Sequence, residues 1–148
     1  MAQARFSIFG AIPLIIIAVI IYNILAFAGP LLFGDTIDVV LSYGFDVPLI
    51  SGDQWRITIA DFLVVLGLIL LLLEVIRSTQ TGSSAITNHA LSMLLFIACL
   101  IEFIVLKGFG TSAFFLLIMM TLFDVIAGFT VGIVAARRDF GGGGIVTS

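Results

Sequence analysis

The sequence predicts an all-α membrane protein, a four-helix transmembrane bundle with both termini in the cytoplasm. Three observations carry that prediction. Of the 148 residues, 61% are hydrophobic and 10% charged. A soluble domain has about 45–50% and 25%, so the solvent of this chain is lipid. The apolar residues fall into four runs, each near the roughly 20 residues that cross a hydrocarbon core. The Lys and Arg residues sit at the ends of those runs, and their imbalance between the two sides sets the orientation. A single transmembrane domain over residues 1–148 is the expected organisation.

The first span is expected at about residues 6–28, behind Arg5. Ala26-Phe27-Ala28 reads as an A-x-A cleavage site, but the run exceeds the about 7–15 residues of a signal-peptide core. A retained anchor helix is therefore expected, bent at Pro13, where a backbone donor is missing. Gly29-Pro30 is expected to end it. The outer loop, residues 29–55, holds Asp35, Asp38, Asp46 and Asp53 and neither Lys nor Arg. Within it, Thr36–Tyr43 reads as a short interfacial helix or strand.

Asp53 is placed as N-cap of the second span, about residues 56–77, with Trp55 as an interfacial aromatic. The run Ile57–Ile76 reaches about 30 Å at 1.5 Å per residue, and Arg77 marks the water boundary. In the next link Gly82 is a stop, and Ser83 or Ser84 the following N-cap. The third span, residues 85–106, ends at Lys107. The turn Lys107–Thr111 is short enough to make spans three and four antiparallel neighbours. The fourth span, residues 112–136, is capped by Thr111 or Ser112 and closed by Arg137-Arg138-Asp139. A Gly-rich tail, residues 140–148, follows. Arg5, Arg77, Arg137 and Arg138 fall on one side, and Arg56 and Lys107 on the other. The positive-inside rule then puts both termini in the cytoplasm and the Asp-rich loop outside.

The third span is the one around which the sequence organises the others. It carries Asn88, His89 and Glu102 in a stretch where a carboxylate at mid-depth costs about 2.5–3.5 kcal/mol. Orientation sorts the polar residues into layers. Glu74, Asn88 and His89 lie at the inner level, Asp124 at mid-depth, and Asp61 and Glu102, near Arg56 and Lys107, at the outer level. With Asn88 as zero and 100° per residue, Ser92 falls at about 40°, Cys99 at about 20° and Glu102 at about −40°. These residues form one stripe, with His89 at its edge. On the fourth span Thr121, Asp124, Gly128 and Gly132 form another, and Gly128-x-x-x-Gly132 permits close helix approach. The two stripes are expected to meet across the Lys107–Thr111 turn.

A small-polar stripe in a membrane helix is most often a packing face, held by interhelical hydrogen bonds of about 0.6 kcal/mol each. The rival reading is a proton or cation path through Asp61, Glu102, Asp124, Glu74 and His89, with Asp124 the deepest member. His89 is the only histidine, so a haem held by two histidines would need a second chain; no cofactor or metal is expected. Ser92, His89 and Glu74 have the residue types of a hydrolase site, but nothing in their spacing assembles one. No enzyme is expected. Cys99 has no disulfide partner in the chain and is most simply a small buried residue. No basic patch suits nucleic acid.

The stretches LLLEVIRSTQTGSSAITNHALSMLLFIACLIEFI (Leu71–Ile104) and TLFDVIAGFTVGIVAARRDF (Thr121–Phe140) resemble an uncharacterised family of small four-span bacterial inner-membrane proteins. The resemblance covers spans two to four. It implies a multi-pass protein of the bacterial inner (plasma) membrane, and no activity. The expected role is non-catalytic: an accessory or scaffold subunit of a homo-oligomer or of a larger inner-membrane complex, with the lipid bilayer and other membrane subunits as its partners. Spans two to four are expected to form the polar-lined core. Span one, whose polar residues are Tyr22 and Asn23, is expected to pack outside it or to mediate assembly.

Overall fold

The computed structural model describes residues 12–78 and 85–141. In order, these form α1 (Ile16–Phe33), α2 (Ile37–Ser42), β1 (Gly44–Pro48), β2 (Gln54–Thr58), α3 (Ile59–Ser78), α4 (Ala85–Val105) and α5 (Ser112–Gly141). Four of the helices, α1, α3, α4 and α5, are long and apolar enough to cross a membrane. The protein is a multi-pass integral membrane protein of mainly helical fold, with one small hairpin. Residues 6–11 of the first span, the Gly82–Ser84 link and tail residues 142–148 lie outside the described residues.

Among the described residues the first span is the helix Ile16–Phe33, which runs past the expected end at residue 28. Pro13 does not bend α1 but precedes it: Ile16 N–H bonds to the Pro13 carbonyl at 3.2 Å, and Ile15 is the N-cap. Nor does Gly29-Pro30 end the helix. Pro30 lies in its last turn, where its missing N–H removes a single ladder bond, a loss that membrane helices tolerate. The stop is Gly34, left-handed at φ 70°, whose N–H caps the Pro30 carbonyl at 3.1 Å. Glycine adopts that conformation without the Cβ clash of other residues.

The Asp-rich segment is not an open loop. Thr36–Tyr43 resolves largely into α2, which buries Ile37, Val40 and Leu41, with Val40 against Gly29 of α1. After it, β1 and β2 pair antiparallel in the register Phe45↔Ile57, Asp46↔Arg56 and Val47↔Trp55. Asp46 and Arg56 meet at 3.3 Å on an exposed face, a pair worth at most about 1 kcal/mol in water. Gly44 is required by space: a Cβ there would stand 1.9 Å from the Ile57 carbonyl oxygen. Tyr43 donates its hydroxyl to Asp35. That bond raises the phenol above its ordinary range, and burial and the Asp35 charge add to the shift.

Asp53 therefore does not cap α3, because the strand Gln54–Thr58 intervenes. The cap is Thr58. Its hydroxyl accepts the Asp61 N–H at 3.2 Å and donates to the Asp61 carboxylate at 2.7 Å; the same carboxylate accepts the Thr58 N–H at 2.8 Å. This is a capping box with aspartate in the returning position. α5 runs past residue 136 to Gly141. Its 30 residues reach about 45 Å, so the arginine end projects beyond a hydrocarbon core of about 30 Å.

The helix at the centre is α5 rather than α4. α5 packs against α1, α3 and α4. In its most apolar stretch 39% of the residues are buried, against 11% in α4. Leu117 and Met120 of α5 close over Gly67 of α3, where a Cβ would stand 2.8 Å from both side chains. At the hairpin end Tyr22, Phe109 and Phe114 are fully buried. Their ring centroids lie 4.5–5.4 Å apart, spacings worth about 0.5–1.5 kcal/mol per pair beyond area burial. Span one is thus part of the core, not outside it.

Candidate functional site

The intramembrane polar residues gather into three nodes along the helix seams. At the end away from the hairpin, Glu74 of α3 is 1% exposed. A buried carboxylate has to be paired, and this one accepts three bonds. Arg77, one turn on, donates to Oε1 at 2.6 Å. Asn88 of α4 donates to the same oxygen at 2.9 Å. Leu14 N–H, just before α1, donates to Oε2 at 2.7 Å. Arg77 also donates to the Ile12 carbonyl at 2.8 Å and to Asn88 at 3.4 Å. The Glu74–Arg77 pair so captures the polypeptide on both sides of Pro13 and joins α1, α3 and α4. Pro13 has no N–H of its own, which leaves this stretch short of helix bonds and open to such capture.

The middle node joins α4 to α5. Ser92 Oγ donates to Asp124 Oδ2 at 2.6 Å, and both residues are buried. Thr121, one turn before Asp124, turns its hydroxyl onto the Ile118 carbonyl at 2.7 Å and stays within its own helix. Cys99 is fully buried. His89 lies one turn from Ser92 and does not join Glu74. Its ring lies against Gly128, where a Cβ would meet Nδ1 at 3.2 Å, and 5.8 Å from the ring of Phe129. Nδ1 is buried and has no hydrogen-bond partner among the described residues. Gly128 acts as the recess for an imidazole. Gly132 continues on the same helix, but its surroundings lie outside the described residues.

The third node, toward the hairpin end, joins α1 to the α4–α5 turn. Asn23 donates to Glu102 at 3.2 Å. The Tyr22 hydroxyl donates to the Gly108 carbonyl at 2.9 Å and lies 2.7 Å from Thr111 Oγ1. Thr111 also caps α5 by accepting Phe114 N–H at 3.2 Å.

The structure therefore brings together Glu74 with Asn88, and Ser92 with Asp124. It separates Asp61 from Glu102: Asp61 belongs to the Thr58 cap, Arg56 to Asp46, and Glu102 to Asn23. The sequence marks Tyr22 and Asn23 as the polar residues of span one and Thr111 as a cap, but not their bonds across helices, nor the coordinating role of Arg77. A tyrosine–asparagine pair inside an otherwise apolar span was the available signal, since buried polar tips need partners. Among the described residues no group of three or more His, Cys, Asp or Glu side chains could hold a metal ion.

The Ser92–Asp124 bond supports a direct prediction. Ser92→Ala leaves a buried carboxylate without this donor and should cost about 1–3 kcal/mol. Asp124→Asn keeps an oxygen for Ser92 and should cost clearly less. Thermal unfolding in mild detergent, followed by circular dichroism, reads both; a Ser92→Ala shift no larger than that of Asp124→Asn would remove the bond from the list of fold determinants. Comparison with protein-family models, with curated proteins and with solved structures finds no match for this chain.

Proposed function

We propose that the protein is a non-catalytic accessory or scaffold subunit of a bacterial inner-membrane assembly, either of its own copies or with other membrane subunits, and that it belongs to the small four-span group its sequence resembles. One observation carries the reading. Glu74, Asn88, Ser92, Asp124 and Glu102 each bond to a neighbouring helix or its leading segment, which is how polar groups act as glue between membrane helices. α4 leaves most of its apolar surface open, with Leu94, Ile101, Ile104 and Val105 all exposed. A helix so placed suits a further helix as neighbour. The positive-inside balance puts the arginine end of α5 in the cytoplasm and the hairpin outside.

The mass of the native particle in mild detergent or a nanodisc tests this. The expected particle holds more than one protein subunit. A monomer with nothing co-purifying would overturn the reading. The second reading, a proton or cation path through Asp124, is favoured by the buried Nδ1 of His89, unpartnered among the described residues and one turn from Ser92. Proton and cation flux into liposomes separates the two, because equal background flux through wild type and Asp124→Asn excludes a path.

A further inference from the structure

The hairpin β1–β2 is two-faced. Residues opposite one another in an antiparallel pair project from the same side of the sheet. The register therefore gathers Phe45, Val47, Trp55 and Ile57 on one face, and Asp46, Arg56 and Gln54 on the other. The polar face carries the Asp46–Arg56 pair. On the apolar face Phe45 and Trp55 remain more than half exposed, and at the tip Ile50 is fully exposed. A lone two-stranded hairpin is marginal in water and needs something against its apolar side.

Two observations identify what covers it. First, the apolar face continues the lipid-facing surface of α3: Phe45 packs on Phe62, ring centroids 6.4 Å apart, and Phe62 is itself exposed on the flank of the span. Second, no residue separates β2 from α3, which follow one another at Thr58 and Ile59. The 19 residues Ile59–Arg77 rise about 28 Å, slightly less than a hydrocarbon core of about 30 Å. The strand that feeds the helix is thereby held at the boundary between acyl chains and headgroups.

We propose that the hairpin is a membrane-surface blade, with its Phe45, Val47, Trp55 and Ile57 face seated on the lipid of the leaflet at that end and its Asp46–Arg56 face turned to water. The ligand is the glycerol–acyl boundary of the bilayer, the depth at which tryptophan accumulates. Charge plays no part in the attraction, because residues 29–58 hold four aspartates and Arg56 as the one cation. This does not rest on the assembly reading above, since a monomer would seat the hairpin in the same way.

Trp55 is the only tryptophan in the chain, so the unmodified full-length protein carries its own reporter. The protein is reconstituted in phosphatidylcholine vesicles with acyl chains brominated near the headgroup or near the bilayer centre, and also probed with aqueous iodide. Headgroup-proximal bromine should at least halve Trp55 emission, central bromine should act less, and iodide should have little effect. Quenching by iodide with none by bromine would overturn the proposal and put the face in water. Insensitivity to both would also overturn it, and would show protein covering the face; loss of that protection as the lipid-to-protein ratio rises would identify a second copy.

Discussion

Replacing Glu74 by alanine is expected to destabilise the protein by about 3–5 kcal/mol, the range for removing one partner of a buried ion pair. The loss is larger than that of a surface pair because three donors aim at this carboxylate from three elements. With the carboxylate gone, the Arg77 guanidinium stays largely covered with a like need for an acceptor, and Leu14 N–H loses its bond before α1. Glu74→Met combined with Arg77→Met should recover much of the loss, since removing both charges also removes their desolvation cost. Recovery should stay incomplete by the about 1–3 kcal/mol of the orphaned Leu14 amide. Unfolding in detergent by a graded denaturant reads both variants against the wild type. A double variant no better than Glu74→Ala would mean that the pair's charges are not what holds α1 against α3.

The second large effect is expected at Gly44. Its missing side chain faces backbone: a Cβ would lie 1.9 Å from the Ile57 carbonyl oxygen and 2.9 Å from Thr58 Cα. Backbone in a paired strand cannot rotate away as a side chain can. Gly44→Ala should therefore cost at least the about 1–3 kcal/mol of ordinary overpacking, concentrated in the strand pairing. The readout is again Trp55, paired with Val47 in the same ladder; its emission should shift and broaden while the helical circular dichroism stays near wild type. An unchanged Trp55 spectrum would show that the hairpin tolerates the shift, and that its register is set elsewhere. Gly52→Ala, at the hairpin turn with nothing within 4 Å of its Cβ, separates a steric effect from any general glycine effect.

These two sites mark what sequence reasoning reaches and what it does not. The spans were legible because lipid imposes a length and a composition, and both are local properties. The ends of α3 and α1 were misplaced for local reasons too. Trp55–Thr58 reads as apolar enough to begin a span, yet Trp55-Arg56-Ile57 alternates, as does Phe45-Asp46-Val47. With Ser51-Gly52 between them, those two alternations were the available signal for a hairpin. At Pro30 the rule for soluble helices failed, because a proline in the final turn removes only one bond. Angular periodicity found Asn88, Ser92 and Asp124 because each faces an adjacent span. It did not find Tyr22 with Thr111 or Leu14 with Glu74, because which distant element closes over a polar group is a matter of tertiary packing. Periodicity also gave α4 the central place that α5 holds: polar residues mark where a helix bonds, whereas burial depends on how many neighbours surround it.

The bonds that secure α1 have a further consequence in the order in which the chain is made. The partner of Leu14 lies 60 residues later, that of Asn23 79 residues later, and those of Tyr22 86 and 89 residues later. Until α4 has been synthesised the asparagine amide lacks Glu102, and until the α4–α5 turn follows the tyrosine hydroxyl lacks Gly108 and Thr111. α1 is thus locked by partners that arrive in turn from α3, α4 and the α4–α5 turn. The set of bonds that docks α1 is therefore complete only when Thr111 arrives to receive Tyr22.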